Sequence, residues 1–140
     1  MKIIVDATIL FELLKKDSIA ANLFFNRKVK LYAPETLLKD FENYGEIVKT
    51  KTGRSAFEFE KFMSLLRKRI RKVRLQNFKH YISSAQQITA EESDHIYYAL
   101  AMHMKCPVWT NNMQMKGQRH ILAYTTSEVM GLVQKESKKI

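Results

Sequence analysis

A chain of 140 residues with 46% hydrophobic and 27% charged residues is long enough to bury a core and is not intrinsically disordered. Its net charge of +10 favours a polyanionic partner such as nucleic acid, although the same charge also provides simple solubility. No apolar run approaches the roughly 18 residues of a transmembrane helix, and the single cysteine, Cys106, excludes an intramolecular disulfide and a cysteine-based zinc site.

Short apolar runs predict strands, and apolar residues at three- and four-residue spacing predict helices. In chain order, these patterns predict a strand at 2–5, helices at 8–16 and 18–27, a strand at 29–33, helices at 35–49 and 55–70, a short strand at 73–75, helices at 77–88 and 91–104, strands at 107–110 and 120–124, and a C-terminal helix. Ser18, Thr89 and Ser127 are the predicted N-caps of three of these helices.

Strands that alternate with helices predict an α/β fold with a parallel, doubly wound sheet. The length predicts a single domain over residues 1–140. A strand at the start of the sequence leaves no room for a signal peptide, so we expect this domain to be cytoplasmic. The sequence has neither a Gly-rich phosphate loop nor a serine or cysteine nucleophile motif, which disfavours a nucleotide-binding enzyme.

Three aspartates lie in apolar surroundings that call for an explanation. Asp6 directly follows an apolar strand, where it could bind a metal or cap the next helix. Asp40 lies at the edge of an apolar helix stripe, where Lys39 or Lys15 could pair with it. Asp94 lies in the first turn of its helix, where an acid is stabilising in itself. Convergence of the three carboxylates would indicate a divalent metal site.

Residues 61–74 contain seven Lys or Arg residues and no acid. This run predicts a contact with an RNA backbone through Lys61, Arg67, Lys68 and Arg71. The alternative is a solvated helix face whose C-terminal cations complement the helix dipole.

Four segments, in order, resemble the sequence blocks of PIN-domain proteins. The first is Ile4–Leu10, an apolar strand that ends in Asp-Ala, and the second is Tyr32–Phe41, in which an acid follows shortly after a strand. The third is Ser93–Ala101, an acid followed by an Ala-rich helix, and the fourth is Cys106–Asn112, a strand that runs into Asn-Asn.

The resemblance implies an α/β/α domain with a parallel sheet of about five strands. Members of the family are often metal-dependent ribonucleases, including VapC-type toxins and RNA-processing enzymes. By resemblance, Asp6, Asp40 and Asp94 hold Mg²⁺ or Mn²⁺, which activates water to hydrolyse RNA phosphodiester bonds. An antitoxin or an RNA-processing protein would then be a partner, and a homodimer is a further expectation because PIN domains frequently dimerise.

The sequence departs from the family pattern at three positions. Asn112 stands where the family usually has a fourth Asp, Gln114 where it often has an acid, and Thr8 where it usually has Asn. Asn112 is therefore expected in an auxiliary catalytic role, and Glu91 or Glu92 could supply the missing charge. The alternative function is a degenerate PIN domain that binds RNA or protein without catalysis, and a third is a purely structural interaction module.

Overall fold

A computed structural model describes residues 1–15 and 18–138 of this protein, and a β-sheet lies at its centre. Within those residues the strands are β1 (Lys2–Val5), β2 (Lys30–Pro34), β3 (Ile70–Val73), β4 (Val108–Trp109) and β5 (Ala123–Tyr124). They form one sheet in the order β3-β2-β1-β4-β5, and every neighbouring pair is parallel. The predicted parallel α/β sheet is thus confirmed.

Helices cover both faces of this sheet. In the described part of the chain they are α1 (Ala7–Leu14), α2 (Ala20–Phe24), α3 (Thr36–Asn43), α4 (Gly45–Thr52), α5 (Ala56–Arg69), α6 (Ile82–Ile88), α7 (Glu92–Met104), α8 (Met113–Lys116) and α9 (Thr126–Lys138). Two 3₁₀ turns, at Leu75–Asn77 and Lys79–Tyr81, precede α6. None of the helices within the described residues is long and apolar enough to cross a membrane.

Alternate residues of the central strands pack into two separate hydrophobic clusters, as the two-residue period of a strand requires. Ile3 and Val5 face the cluster formed with α1–α5 and α9, whereas Ile4 faces the cluster formed with α6, α7 and α8. Both faces of the sheet are therefore buried, and the architecture is a three-layer α/β/α sandwich.

Side-chain caps fix the starts of several helices in this fold, α1 and α5 among them. Asp6 caps α1 by accepting hydrogen bonds from the backbone N–H groups of Thr8 and Ile9. Ser55 caps α5 in a reciprocal capping box with Glu58. Because Asp6 directly follows β1, its capping role places a carboxylate at the carboxyl edge of the sheet.

The predicted helix at 35–49 is wrong in its extent, because the chain breaks at Tyr44 into α3 and α4. Gly45 follows the break, and a Cβ atom at this position would lie 3.0 Å from Cε1 of Phe59 on α5. The close approach of α4 to α5 at a residue without a side chain is not visible in an apolar pattern. The predicted helix at 77–88 is likewise shortened to α6, with 3₁₀ turns before it.

The three predicted N-caps are also wrong. Ser18 does not cap α2, whose N-cap is Ile19, and its Oγ is buried without a partner among the described residues. The N-cap of α7 is Glu91, whose backbone N–H donates to the Thr89 hydroxyl. At α9, the reciprocal hydrogen bonds join Thr125 and Glu128, and Ser127 lies inside the helix.

The remaining boundaries shift by a few residues. The strands predicted at 29–33, 107–110 and 120–124 are β2, β4 and β5, and the strand predicted at 73–75 is β3, which ends at Val73. The helices predicted at 18–27, 55–70 and 91–104 are α2, α5 and α7. The helix predicted at 8–16 is α1, which ends at Leu14, and residue 16 lies outside the described residues. Helix α8, which has only four residues, was not predicted.

Candidate active site

The carboxyl ends of β1 and β4 lie side by side, because these strands pair in parallel with Val5 opposite Trp109. The residues that follow them, Asp6 and Thr110, are therefore neighbours, and their side chains share a hydrogen bond. Ligands of parallel α/β sheets bind beyond this edge. The topology thus predicts a ligand-binding site beyond the carboxyl ends of β1 and β4.

Asp6 is almost completely buried, with 5% of its surface exposed. Its Oδ1 accepts hydrogen bonds from the backbone N–H of Thr8 at 3.0 Å, the Thr8 hydroxyl at 2.5 Å and the backbone N–H of Ile9 at 3.4 Å, and its Oδ2 accepts from the Thr110 hydroxyl. Burial raises the pKa of the Asp6 carboxyl, and these hydrogen bonds lower it. The helix-cap alternative for Asp6 is therefore correct, and it also fixes the orientation of the carboxylate.

Asp94 and Asn112 are joined by a hydrogen bond of 3.1 Å from Nδ2 of Asn112 to Oδ2 of Asp94. Asn112 caps α8 with its Oδ1, so its amide nitrogen is directed away from that helix and towards Asp94. Burial raises the pKa of Asp94, and the nearby Glu91 raises it further, whereas Asn112 and His95 lower it. The amide thus provides the nearest polar neighbour of this carboxylate.

Asp40 is exposed on α3, and its side chain forms no ion pair or hydrogen bond with residues 1–15 or 18–138. The pairing with Lys39 or Lys15 that the sequence suggested is therefore absent in the described part of the chain. The Asp40 carboxylate is available to a ligand from solution.

All three aspartates line one cleft of about 760 Å³. Tyr97 also lines the cleft, and burial together with the charges of Asp6, Asp40 and Asp94 raises the pKa of its hydroxyl. The hydroxyl of Tyr97 thus lies within electrostatic range of all three carboxylates. The convergence that the sequence left open is therefore present at the level of the cleft.

The cleft is lined by both polar and apolar side chains. The polar ones include the three aspartates, Glu92 and Asn112, and the apolar ones include Phe11, Leu37, Phe41, Tyr44, Ile47 and Ile96. Of the two glutamates that could supply a fourth charge, Glu92 lines the cleft and Glu91 does not. Gln114 is exposed and outside the lining; its backbone N–H donates to Asn112.

The donor chemistry of the cleft fits a hard divalent cation, since Mg²⁺ and Mn²⁺ bind carboxylate and amide oxygens. However, no three His, Cys, Asp or Glu side chains in the described residues are grouped as metal ligands. Both oxygens of Asp6 and Oδ2 of Asp94 already accept hydrogen bonds from protein donors. A cation that binds these oxygens would therefore share or replace those hydrogen bonds.

Thr110 and Tyr97 are site residues that sequence reasoning missed. Thr110 falls at the end of the strand predicted at 107–110, and Tyr97 falls within the helix predicted at 91–104. The signal that could have found Thr110 is its position directly after a strand, the same relation that singled out Asp6. Using that signal requires knowing that β1 and β4 are adjacent.

The basic residues predicted to contact RNA are not gathered in this cleft. Arg67 and Lys68 lie in the last turn of α5, which leads directly into the amino end of β3 and hence the edge of the sheet opposite Asp6. Arg67 pairs with Glu42 at 3.0 Å, and Nη1 of Arg71 donates to the Tyr32 hydroxyl at 3.2 Å. Lys61 is exposed on α5.

Arg69, in the same basic run, has a structural role. Its guanidinium donates to the backbone carbonyls of Phe24, Asn26 and Val29 at 2.6–2.8 Å. These contacts tie the end of α5 to the segment that precedes β2.

The parallel sheet, its two helical layers and the acidic side chains at its carboxyl edge define a three-layer α/β domain with an acidic cleft. The sequence profile described as the PIN domain matches residues 4–131, and the chain belongs to the PIN domain family, whose members are generally divalent-metal-dependent ribonucleases. No curated protein matches the sequence.

Among solved structures, the fold is similar to a chain of VapBC2 from Rickettsia felis, a structure determined with a DNA fragment from their promoter. The TM-score is 0.69 with 14% sequence identity, over 89% of this chain and 98% of the other. At this level of identity the likeness establishes the fold.

Proposed function

We propose that this protein is a cytoplasmic, metal-dependent endoribonuclease that hydrolyses RNA phosphodiester bonds with Mg²⁺ or Mn²⁺ held by Asp6, Asp40 and Asp94. The observation that carries the proposal is the convergence of these three carboxylates in one cleft of a PIN-family domain. Asn112 has an auxiliary catalytic role, because its amide contacts Asp94.

Each side chain has a distinct task in this proposal. Asp6 is held rigidly by Thr8 and Thr110, so it provides a fixed anchor. Asp40 is exposed and has no partner in the described residues, so it can turn towards a ligand without breaking a contact. Asn112 orients the carboxylate of Asp94. A divalent cation bound here would supply positive charge to stabilise an RNA phosphate and its leaving oxygen.

The second candidate function is a catalytically degenerate PIN domain that binds RNA or a protein partner. The observation that favours it is the hydrogen bond from Asn112 to Asp94, in which a neutral amide stands beside the carboxylate. With Asn instead of Asp, the cleft has one negative charge fewer with which to attract a cation.

A protein partner is part of the proposal. The similar Rickettsia felis structure is a VapBC2 complex, which supports an antitoxin as the partner and a toxin–antitoxin role. The apolar lining of the cleft supports it as well, because Tyr44 and Ile47 are 61% and 51% exposed. An RNA-processing protein and a second copy of this chain are the other partners that we propose.

RNA cleavage by the purified protein tests this proposal. We expect cleavage of a mixed-sequence RNA with Mn²⁺ and none with EDTA, and we expect the Asp94→Asn variant to be inactive. Equal cleavage by the parent and the variant would show that a contaminant is responsible. Binding of RNA by both proteins without cleavage by either would instead support the degenerate domain.

The predicted contacts of Lys61, Arg67, Lys68 and Arg71 with RNA stay a prediction. They would add electrostatic affinity along α5 and β3 for a strand that extends beyond the cleft. Alanine substitution of these residues, with RNA affinity measured at several salt concentrations, tests this prediction.

A further inference from the structure

A second cavity lies at the same edge of the sheet, beyond the carboxyl ends of β2 and β3. It has a volume of about 520 Å³ and is lined by Glu35, Thr36, Lys39, Lys72 and Arg74. Three cations and one acid give it a formal charge of +2, opposite in sign to the aspartate cleft. No part of the proposed reaction uses these residues.

The three cations of this cavity are free for a ligand. The side chains of Lys39, Lys72 and Arg74 form no ion pair or hydrogen bond within residues 1–15 and 18–138, and all three are exposed. Arg67 and Arg71, in contrast, contact Glu42 and Tyr32. Uncompensated cations around a concave surface form an anion-binding site.

The basic cavity adjoins the aspartate cleft through α3. Thr36 lines both cavities, while the consecutive residues Lys39 and Asp40 line the basic cavity and the aspartate cleft respectively. Thr36 lies three and four positions before these residues, so the three side chains share neighbouring positions on the helix surface. The two cavities therefore adjoin each other along α3.

We propose that Lys39, Lys72 and Arg74 bind a backbone phosphate of the RNA strand whose next phosphates lie in the aspartate cleft. The inference rests on the proposed function. It adds the direction in which the RNA strand crosses the edge of the sheet, from the basic cavity to the aspartate cleft. Three aspartates repel a polyanion, so a substrate strand needs an adjacent cationic site to stay in place. Lys39, Lys72 and Arg74 provide it, with β3 and α3 as rigid supports.

The alternative account of Lys72 is protection of an edge strand. β3 pairs only with β2 in the sheet, and lysines on edge strands hinder pairing with other chains. That account explains a charge on β3, but it does not explain why cations from α3 and from the residue after β3 line the same cavity. It predicts aggregation of a Lys72 variant with unchanged RNA affinity.

The test is the binding of a fluorescein-labelled single-stranded RNA, followed by fluorescence anisotropy in EDTA at several salt concentrations. The variant combines Lys39→Ala, Lys72→Ala and Arg74→Ala. The matched control combines Arg27→Ala, Lys30→Ala and Lys135→Ala, which removes the same charge at exposed positions outside both cavities and outside the predicted RNA contacts of α5 and β3. Lys39→Glu alone, at an exposed helix position, is a second variant that guards against misfolding.

We expect the cavity variant to bind RNA at least about tenfold more weakly, with a salt slope reduced by about 0.7, since each phosphate of a single strand that is neutralised contributes about 0.7. Lys39→Glu should also weaken binding, and the matched control should bind nearly as the parent does. The inference is overturned if the control loses as much affinity as the cavity variant, if the cavity variant binds normally, or if the parent binds no RNA.

Cleavage is measured separately, so the two proposals can fail independently. RNA held by Lys39, Lys72 and Arg74 but not cleaved with Mn²⁺ would refute the nuclease function and leave the phosphate site standing. Normal cleavage with unchanged binding in the cavity variant would do the reverse. Inorganic phosphate is also added as a competitor. It would displace RNA from a site that recognises a single phosphate, and it would leave RNA bound to a site that needs an RNA strand.

Discussion

Replacing Asn112 by Asp tests how far one missing negative charge limits the affinity of the cleft for a divalent cation. The Oδ1 of Asn112 accepts from the backbone N–H groups of Gln114 and Met115 at 3.0 and 3.4 Å, and a carboxylate oxygen keeps both contacts. The Nδ2 contact with Asp94 at 3.1 Å is lost and becomes a juxtaposition of two negative charges. The Asn112→Asp variant should therefore fold, with a local repulsion that a cation relieves.

The magnitude follows from the short distance between these groups. At about 4 Å a pair of unit charges is worth roughly 1 kcal/mol in water and roughly 4 kcal/mol at an effective dielectric constant of 20. A divalent cation gains about twice as much from the added charge, before it loses its hydration. Even a net gain of about 1.4 kcal/mol tightens binding tenfold.

The assay is calorimetric titration of the Asn112→Asp variant with Mn²⁺, beside urea unfolding without metal. We expect Mn²⁺ affinity to rise at least about tenfold and the free energy of unfolding to fall by about 1 kcal/mol or more. The matched control is Asn111→Asp, which adds the same charge one residue away, where the Asn111 side chain contacts Glu12 outside the cleft. Unchanged affinity, or an equal gain in the control, would refute the reasoning.

The remaining predictions concern the hydrogen bond that holds Asp6, the packing around two glycines, and the pH dependence of Mn²⁺ binding. Thr110→Val removes a buried hydroxyl that donates to Asp6, so we expect urea unfolding to show a loss of about 1–3 kcal/mol; no loss would show that the hydroxyl does not stabilise the carboxylate. Gly45→Ala should lower the free energy of unfolding by about 1–3 kcal/mol, because the methyl group meets Phe59 at 3.0 Å. Gly131→Ala, with nothing within 4 Å, should raise the free energy of unfolding by about 0.5–1 kcal/mol, and equal effects of the two substitutions would contradict the packing argument. Burial raises the pKa of Asp6 above its ordinary 3.8 and a cation binds the ionised form, so Mn²⁺ affinity should fall as the pH falls through that raised pKa; affinity that is constant down to pH 3.8 would be the opposite result.

The fold could be predicted because its strands and helices differ in their apolar period. Strand β1 and helix α5 show the two patterns clearly, and the alternation of elements along the chain determines the parallel sheet. What the sequence could not show is where helices break. The break after α3 depends on the contact of Gly45 with Phe59, which lies fourteen residues further along the chain.

The sequence predicts the acidic residues of the candidate site, but it does not predict the side chains that form hydrogen bonds with them. Asp6, Asp40 and Asp94 stand out because charged residues are rare beside apolar stripes. The hydrogen bonds of Asp6 with Thr110 and of Asp94 with Asn112 join residues 104 and 18 positions apart, so they follow from the order of strands in the sheet. Cavities shared between elements, such as the one formed by α3 and β3, depend on the same order.

The most direct measurement is a Mn²⁺ titration of the parent, of Asp40→Asn and of Glu60→Gln. The Asp40 side chain forms no hydrogen bond or ion pair within the described residues, so Asp40→Asn should change the charge of the cleft without disturbing the fold. Glu60 is an exposed acid on α5 outside the cleft. We predict that the parent and Glu60→Gln bind Mn²⁺ equally and that Asp40→Asn binds at least about tenfold more weakly. Equal binding by all three proteins, or none by the parent, would contradict a metal site in this cleft.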